Sequence, residues 1–171
     1  MKRTLFLILL SAAFMAAPSV YSHAQSICRL KPTTTVLLYP EGQEAEKGLP
    51  EADGPQISNG ITESEWTDET GRIGSISDSA RVDIYMPKKC NGQMVVVCPG
   101  GGYRYVSALK EGLHVADWMT ARGIAVAVVK HRMPEGHWEI PLIDVQNAFR
   151  YCRAHAAEWG ISQIGVMGFS A

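Results

Sequence analysis

From Met94 to Met167 the chain alternates short apolar runs with stretches of helical period, and this restricts its fold more than any other feature. Residues 94–98, 124–129 and 164–167 are continuous apolar runs of strand length, as expected of strands covered on both faces. Between the first two, residues 106–122 place Leu109, Leu113, Ala116 and Met119 three or four apart, and Gly123 follows as a helix stop. Between the last two, residues 142–159 carry an apolar stripe of Val145, Ala148, Phe149, Cys152, Ala156 and Trp159, and Gly160 ends it. Strand, helix, strand, helix, strand is the grammar of a parallel sheet with right-handed crossovers. Residues 80–86 alternate Val82, Ile84 and Met86 with polar neighbours, and Asn91-Gly92 is a hairpin turn signal. The expected fold class is therefore α/β: a mixed sheet that opens with an antiparallel hairpin of 80–86 and 94–98, then runs on as parallel βαβαβ. A plain dinucleotide-binding unit opens instead with a parallel βαβ.

The upstream residues divide in two. Lys2 and Arg3 precede an apolar run from Leu5 to Ala17, Pro18 breaks it, and Ser22-His23-Ala24 supplies small residues at −3 and −1 of a cleavage site. This is the pattern of a secretory signal peptide over 1–24, and it predicts a secreted or periplasmic protein with no membrane association after cleavage. The apolar run is short for a membrane span, and Ile27 before Cys28 does not suit a lipoprotein signal. Residues 25–79 read as a mature N-terminal strand at 33–39 and then a long polar loop region with one short strand or turn near Trp66. The α/β domain proper is expected over 80–171. A formal charge of −1 on 171 residues gives no basic footprint for nucleic acid. Of the four cysteines, Cys98 ends an apolar strand and Cys152 lies on an apolar helix face, where each behaves as a small hydrophobe. Whether Cys28 and Cys90 pair is left open, and no cysteine or histidine spacing suggests a metal.

Two loops carry the chemistry. Pro99-Gly100-Gly101-Gly102-Tyr103 follows the expected central strand, and Gly168-Phe169-Ser170-Ala171 follows the last one. In an open α/β sheet both lie at the carboxyl edge, where ligands bind. Serine in a tight turn after a buried strand is the nucleophile-elbow pattern, which needs small flanking residues, here Gly168. Ester attack builds a tetrahedral oxyanion that needs backbone N–H donors. In this scheme one comes from the residue after the nucleophile, Ala171, and another from Gly101 or Gly102. Gly100 and Gly168 shape the turns. Tyr103 either shapes the acyl pocket or packs. Competing phosphate loops fail on residues: Tyr105 stands where a dinucleotide fingerprint needs glycine, and no Gly-Lys-Ser/Thr occurs.

From about Arg81 onward the chain resembles the bifunctional feruloyl/acetyl esterase-like branch of the α/β hydrolases, near the acetyl xylan esterases and carboxylesterases. The resemblance rests on Val82-Asp83-Ile84-Tyr85-Met86-Pro87, Pro99-Gly100-Gly101-Gly102-Tyr103, Glu111-Gly112, Arg122-Gly123, His131-Arg132, Pro141-Leu142-Ile143-Asp144, Glu158-Trp159-Gly160-Ile161 and residues 165–171. It implies the N-terminal half of an α/β-hydrolase fold. It also implies a serine carboxylester hydrolase acting on a small-molecule ester or an acylated plant polysaccharide, with Ser170 catalytic and no metal or organic cofactor. In this fold the triad runs nucleophile, acid, histidine, so both partners of Ser170 are expected beyond Ala171 and the chain reads as part of a longer domain. A serine peptidase of the same fold and a non-catalytic exported fragment are the alternatives. Asp144 reads as an acid favourable near a helix N-terminus and not as the triad acid. Glu111 reads as structural, with a possible hold on the glycine loop. His114, His131, His137 and His155 carry no assigned role, and the oligomeric state is not encoded legibly.

Overall fold

The computed structural model describes residues 30–39, 59–77 and 79–171; the expected signal segment, Cys28 and about half of the long polar region lie outside them. The strands are β1 (Thr34–Leu37), β2 (Trp66–Thr67), β3 (Ile73–Gly74), β4 (Arg81–Tyr85), β5 (Gln93–Cys98), β6 (Tyr105–Val106), β7 (Ala125–Lys130) and β8 (Gln163–Gly168). A π-helical segment, Ala108–Leu113, runs into α1 (His114–Thr120), and α2 spans Glu139–His155. Five strands form the main sheet in the order β1-β4-β7-β5-β8. β4 pairs antiparallel with β1 and with β7, while β5 pairs parallel with β7 and β8. This is the mixed, interleaved sheet of an α/β hydrolase.

Burial parity explains how the apolar runs are used. On β5 and β7, Met94, Val96, Ala125, Ala127 and Val129 face one side and pack with Ala148, Tyr151 and Cys152 of α2. Val97, Val126 and Val128 face the other side and pack with Ala116 and Met119 of α1. The two helices thus cover opposite faces, and the central strands need apolar residues at every position. Ala125 and Ala127 are small and fully buried beneath the α2 face. The predicted stripe on α2 is the face that packs: Ala148 and Cys152 are buried, with Val145, Phe149, Ala156 and Trp159 around them. Pro141 falls in the first turn of α2, where its missing N–H costs no helical bond. Gly123 and Gly160 leave their helices at positive φ, 80° and 66°, the left-handed conformation of a helix stop.

The structure corrects the expected hairpin. β4 and β5 are not partners, because β7 lies between them. Asn91-Gly92 does turn the chain: Gly92 has φ 85° and the Asn91 side chain accepts from Gln93 N at 3.0 Å. The turn is tied instead to the end of α1, through Asn91 N donating to Gly123 O at 2.8 Å. It therefore hands the chain across one strand's width to β5. The antiparallel opening of the sheet comes from β1 and β7 on either side of β4.

The described part of the long polar region is more ordered than expected. β2, β3 and β6 form a second, antiparallel sheet in that order. Ile73, Ile76, Val106 and Met133 form a small core of their own beneath it. Asn59, buried, donates to the carbonyls of Ile76 and Met133 at 3.0 and 2.9 Å. The second sheet is anchored next to the glycine loop, since β6 begins two residues after Tyr103.

Candidate active site

Parallel pairing of β5 with β8 ends at Cys98↔Gly168, so the two loops leave the sheet side by side. Phe169 N donates to Cys98 O at 3.0 Å, which extends the ladder one step into the loops. Ser170 follows with φ 54°, a left-handed conformation uncommon for a residue with a side chain. Gly100 lies directly against it. A Cβ built on Gly100 would collide with the Phe169 carbonyl oxygen and sit 2.9 Å from Ser170 Cβ. Only glycine allows the loop this close.

The rest of the glycine loop is held from both ends. The Gly100 carbonyl accepts from Ser107 N at 2.8 Å, and Gly100 N donates to Glu111 Oε2 at 2.7 Å. Gly101 has φ 150°, and a Cβ there would collide with the Tyr105 carbonyl oxygen; Gly102 has φ 61° and open space around it. Tyr103, at φ 58°, is nearly half exposed and meets the buried His131 edge-on, with ring centroids 6.3 Å apart. His131 Nδ1 lies 2.9 Å from Arg132 O. Beside this loop opens a cleft of about 620 Å³ whose lining includes Trp66, Tyr103, Arg104, Met133, Glu63 and Glu135.

The structure therefore brings Gly100 and Ser170 into contact at one sheet edge, with Gly101, Gly102 and Tyr103 in the same loop, Gly168 closing β8 and Ala171 directly after the serine. It leaves His137 and His155 elsewhere. His155 stacks near Tyr151 and Trp159 at the end of α2, and His137 lies 3.5 Å from Glu139. Cys98, one residue before the loop, is pushed up to about 11 by burial, and Cys152 to about 12 for the same reason, so neither is a thiolate at neutral pH. Among the described residues no group of three His, Cys, Asp or Glu side chains is placed to hold a metal, and no helix is long and apolar enough to cross a membrane.

The reading of Asp144 needs enlarging. It is fully buried and holds Arg132 through Nη2 at 2.7 Å, Nε at 3.1 Å and the backbone N–H at 2.8 Å, and it accepts from Tyr39 Oη at 2.8 Å. Burial, reinforced by the Asp144 charge, pushes the Tyr39 hydroxyl above the usual tyrosine range. No local pattern announces this cluster, because its members lie 12 and 105 residues apart in sequence.

The BD-FAE family model matches residues 82–171, just over half of the chain. An acetylxylan esterase of Xylanibacter ruminicola (strain ATCC 19189 / DSM 19721 / CIP 105475 / JCM 8958 / 23) is 39% identical over 101 residues, covering 57% of this chain and 21% of that protein. Among solved structures, an acetyl ester-xyloside bifunctional hydrolase from Caldicellulosiruptor lactoaceticus superposes with a TM-score of 0.49 at 23% identity, covering 83% of this chain and 44% of that one. The butyrate-bound Est2 esterase of Thermogutta terrifontis gives 0.48 at 24% identity, covering 54% and 36%. The chain spans about a fifth of the length of the curated relative that it matches, and under half of these two structures.

Proposed function

The chain belongs to the BD-FAE family, and from that premise we propose that it carries the nucleophile and oxyanion loop of a serine carboxylester hydrolase. The observation that carries the reading is Ser170, in a left-handed turn after β8 and so near Gly100 that a Cβ there would lie 2.9 Å from its own Cβ. Ser170 Oγ attacks the acyl carbon while its proton passes to a histidine base. The carbonyl π electrons move onto oxygen, and the N–H groups of Ala171 and of Gly101 or Gly102 receive that charge. Collapse expels the alcohol, which takes the proton back from the histidine, and water then hydrolyses the acyl-enzyme. In the order of this fold the acid and the histidine follow the nucleophile in sequence.

The finer substrate reading is an acetylated or feruloylated plant polysaccharide or oligosaccharide. The cleft beside the loop supports it, because exposed Trp66 and Tyr103 rings among Arg104, Glu63 and Glu135 suit a sugar's apolar faces and hydroxyls. Export on residues 1–24 would bring the site to such a polymer. The test is acetate release from acetylated xylo-oligosaccharide by the protein carrying these residues, alongside fluorophosphonate labelling of Ser170. Labelling with acetate release is expected. Labelling with cleavage of peptides alone would point to the peptidase reading, and absence of labelling would leave a non-catalytic role.

A second expectation follows from the contact at Gly100. Gly100→Ala should cost about 100-fold in kcat/KM, because an added Cβ cannot clear the Phe169 carbonyl without displacing the nucleophile, and ångström-scale misplacement costs that much. Full activity in this variant would show that the loop and the serine do not need their close approach.

A further inference from the structure

We propose that Glu111 is the positioning residue of the glycine loop: its carboxylate fixes the Gly100 peptide so that the amides after it stay aimed at the oxygen of the reacting acyl group. This rests on the serine-hydrolase reading and adds to it a residue that neither touches substrate nor belongs to a triad.

The geometry is a closed ring. Gly100 N donates to Glu111 Oε2 at 2.7 Å, Glu111 N donates to Ser107 O at 3.0 Å, and Ser107 N donates to Gly100 O at 2.8 Å. Both backbone polar groups of Gly100, its N–H and its carbonyl, are thus bound to one short stretch of chain, 107–111. That stretch opens the π-helical segment Ala108–Leu113, and such wide turns are uncommon and recur at functional sites. Here the segment is pressed against the sheet. Gly112 is buried, and a Cβ on it would come within 2.8 Å of Val128 Cγ1 and 3.6 Å of Pro99 Cγ. The missing side chain lets the backbone sit low enough on β7 for the neighbouring carboxylate to reach under the loop. On its other side Gly100 leaves no room for a Cβ between itself and Phe169-Ser170. Position therefore passes from β7 through the π-helical segment to Glu111, Gly100 and the nucleophile.

Removing the acceptor leaves a part-buried N–H without its partner, and the loop must move to find another. The role is geometric rather than electrostatic, since a negative charge near a developing oxyanion is itself unfavourable. An uncharged acceptor of the same length should therefore serve as well.

The experiment measures p-nitrophenyl acetate hydrolysis and the rate of fluorophosphonate labelling in the protein carrying these residues. The variants are Glu111→Gln, Glu111→Ala and Glu111→Met, with thermal midpoints for each. Glu111→Gln, which keeps an acceptor oxygen, should stay within about threefold of the parent. Glu111→Ala and Glu111→Met should lose about 100-fold in kcat with KM nearly unchanged, the scale of a lost oxyanion donor, and should label correspondingly slowly. Equal activity in all four proteins would overturn the proposal, as would a Gln variant as poor as Ala. Failure of both Ala and Met variants to fold would also count against it, by making Glu111 a support of the fold rather than of the loop. Ser170→Ala separates this from the reading beneath it. If that variant keeps its turnover the serine-hydrolase reading fails, whereas if it is dead and the Glu111 variants are normal only the positioning role fails.

Discussion

Replacing Ser170 by alanine should lower kcat on p-nitrophenyl acetate by about four orders of magnitude or more, the scale of losing a triad member, in the protein carrying these residues. The side chain supplies the one atom that forms a bond to substrate, and no neighbour can stand in. Cys98 is the nearest other nucleophile type by sequence to the glycine loop, and burial holds its thiol near 11, so it offers no thiolate at neutral pH. Stability should hardly respond. Ser170 is exposed and makes no contact that the core depends on, and such substitutions usually fall within about 0.5 kcal/mol. The backbone at φ 54° is equally uncomfortable for alanine, so the turn keeps whatever strain it has. Steady-state kinetics with a thermal melt on the same sample checks both halves. Turnover within tenfold of the parent would remove Ser170 from the mechanism.

Asp144→Ala should destabilise the fold by about 3–5 kcal/mol, the range for breaking a buried ion pair from one side. Its carboxylate is fully buried and satisfies the Arg132 side chain, the Arg132 backbone N–H and the Tyr39 hydroxyl together. Burial opposes the charge on Arg132, and the hydrogen bonds and charge of Asp144 outweigh that and hold its pKa above the usual value. Without Asp144 the guanidinium stays buried, stacked 4.7 Å from the Tyr39 ring, and loses this carboxylate. Three segments lose their tie: the chain after β1, the loop after β7 and the first turns of α2. Tyr39→Phe is the comparison, since it removes the hydrogen bond donated to charged Asp144 and the one accepted from Asn147 Nδ2 at 2.8 Å, and should cost about 1.5–3 kcal/mol. Denaturant unfolding of the two variants reads the difference. A loss below about 1 kcal/mol for Asp144→Ala would mean that the pair is not what holds these segments.

Much of the architecture can be read from periodicity. The stripe on α2 and the runs that became β5 and β7 are unambiguous because each is buried on the faces its pattern predicts; the run at 164–167 does form β8, but that strand is largely exposed, Val166 at 65%, and not covered on both faces as its composition suggests. The placing of the glycine loop and Ser170 side by side at the strand ends was legible for a related reason: strand ends in such a sheet are where backbone geometry has to be special, and special geometry demands particular residue types. Strand pairing was not legible. Asn91-Gly92 has the chemistry of a hairpin turn and makes a turn, but a turn does not reveal whether its flanking strands touch, and β7 separates them. β2, β3 and β6 have two residues each, too few to show a period. Their organisation comes from tertiary contacts such as Asn59 with Met133. The 106–122 stretch was rightly helical in its α1 half, yet nothing in its spacing marks Ala108–Leu113 as π-helical; Gly112, which costs helix stability, was the available hint.

The interleaved strand order also governs how the sheet can assemble. β4 and β5 are made before β7 and lie close along the chain, but the sheet cannot be completed by adding strands in the order of synthesis. β7 has to arrive between them, and β8 closes on β5 across 70 residues, the separation of Gln93 from Gln163. Each such closure costs chain entropy before its ladder returns any. High contact order of this kind places folding toward the slow end for domains of this size. Until β7 is available, the edge of β5 that will face it stays open, with Val95, Val96 and Val97 along it. The growing chain is therefore most vulnerable to wrong pairing between the making of residue 98 and that of residue 130, and a short Asn-Gly turn beside that edge makes a non-native hairpin the nearest competitor.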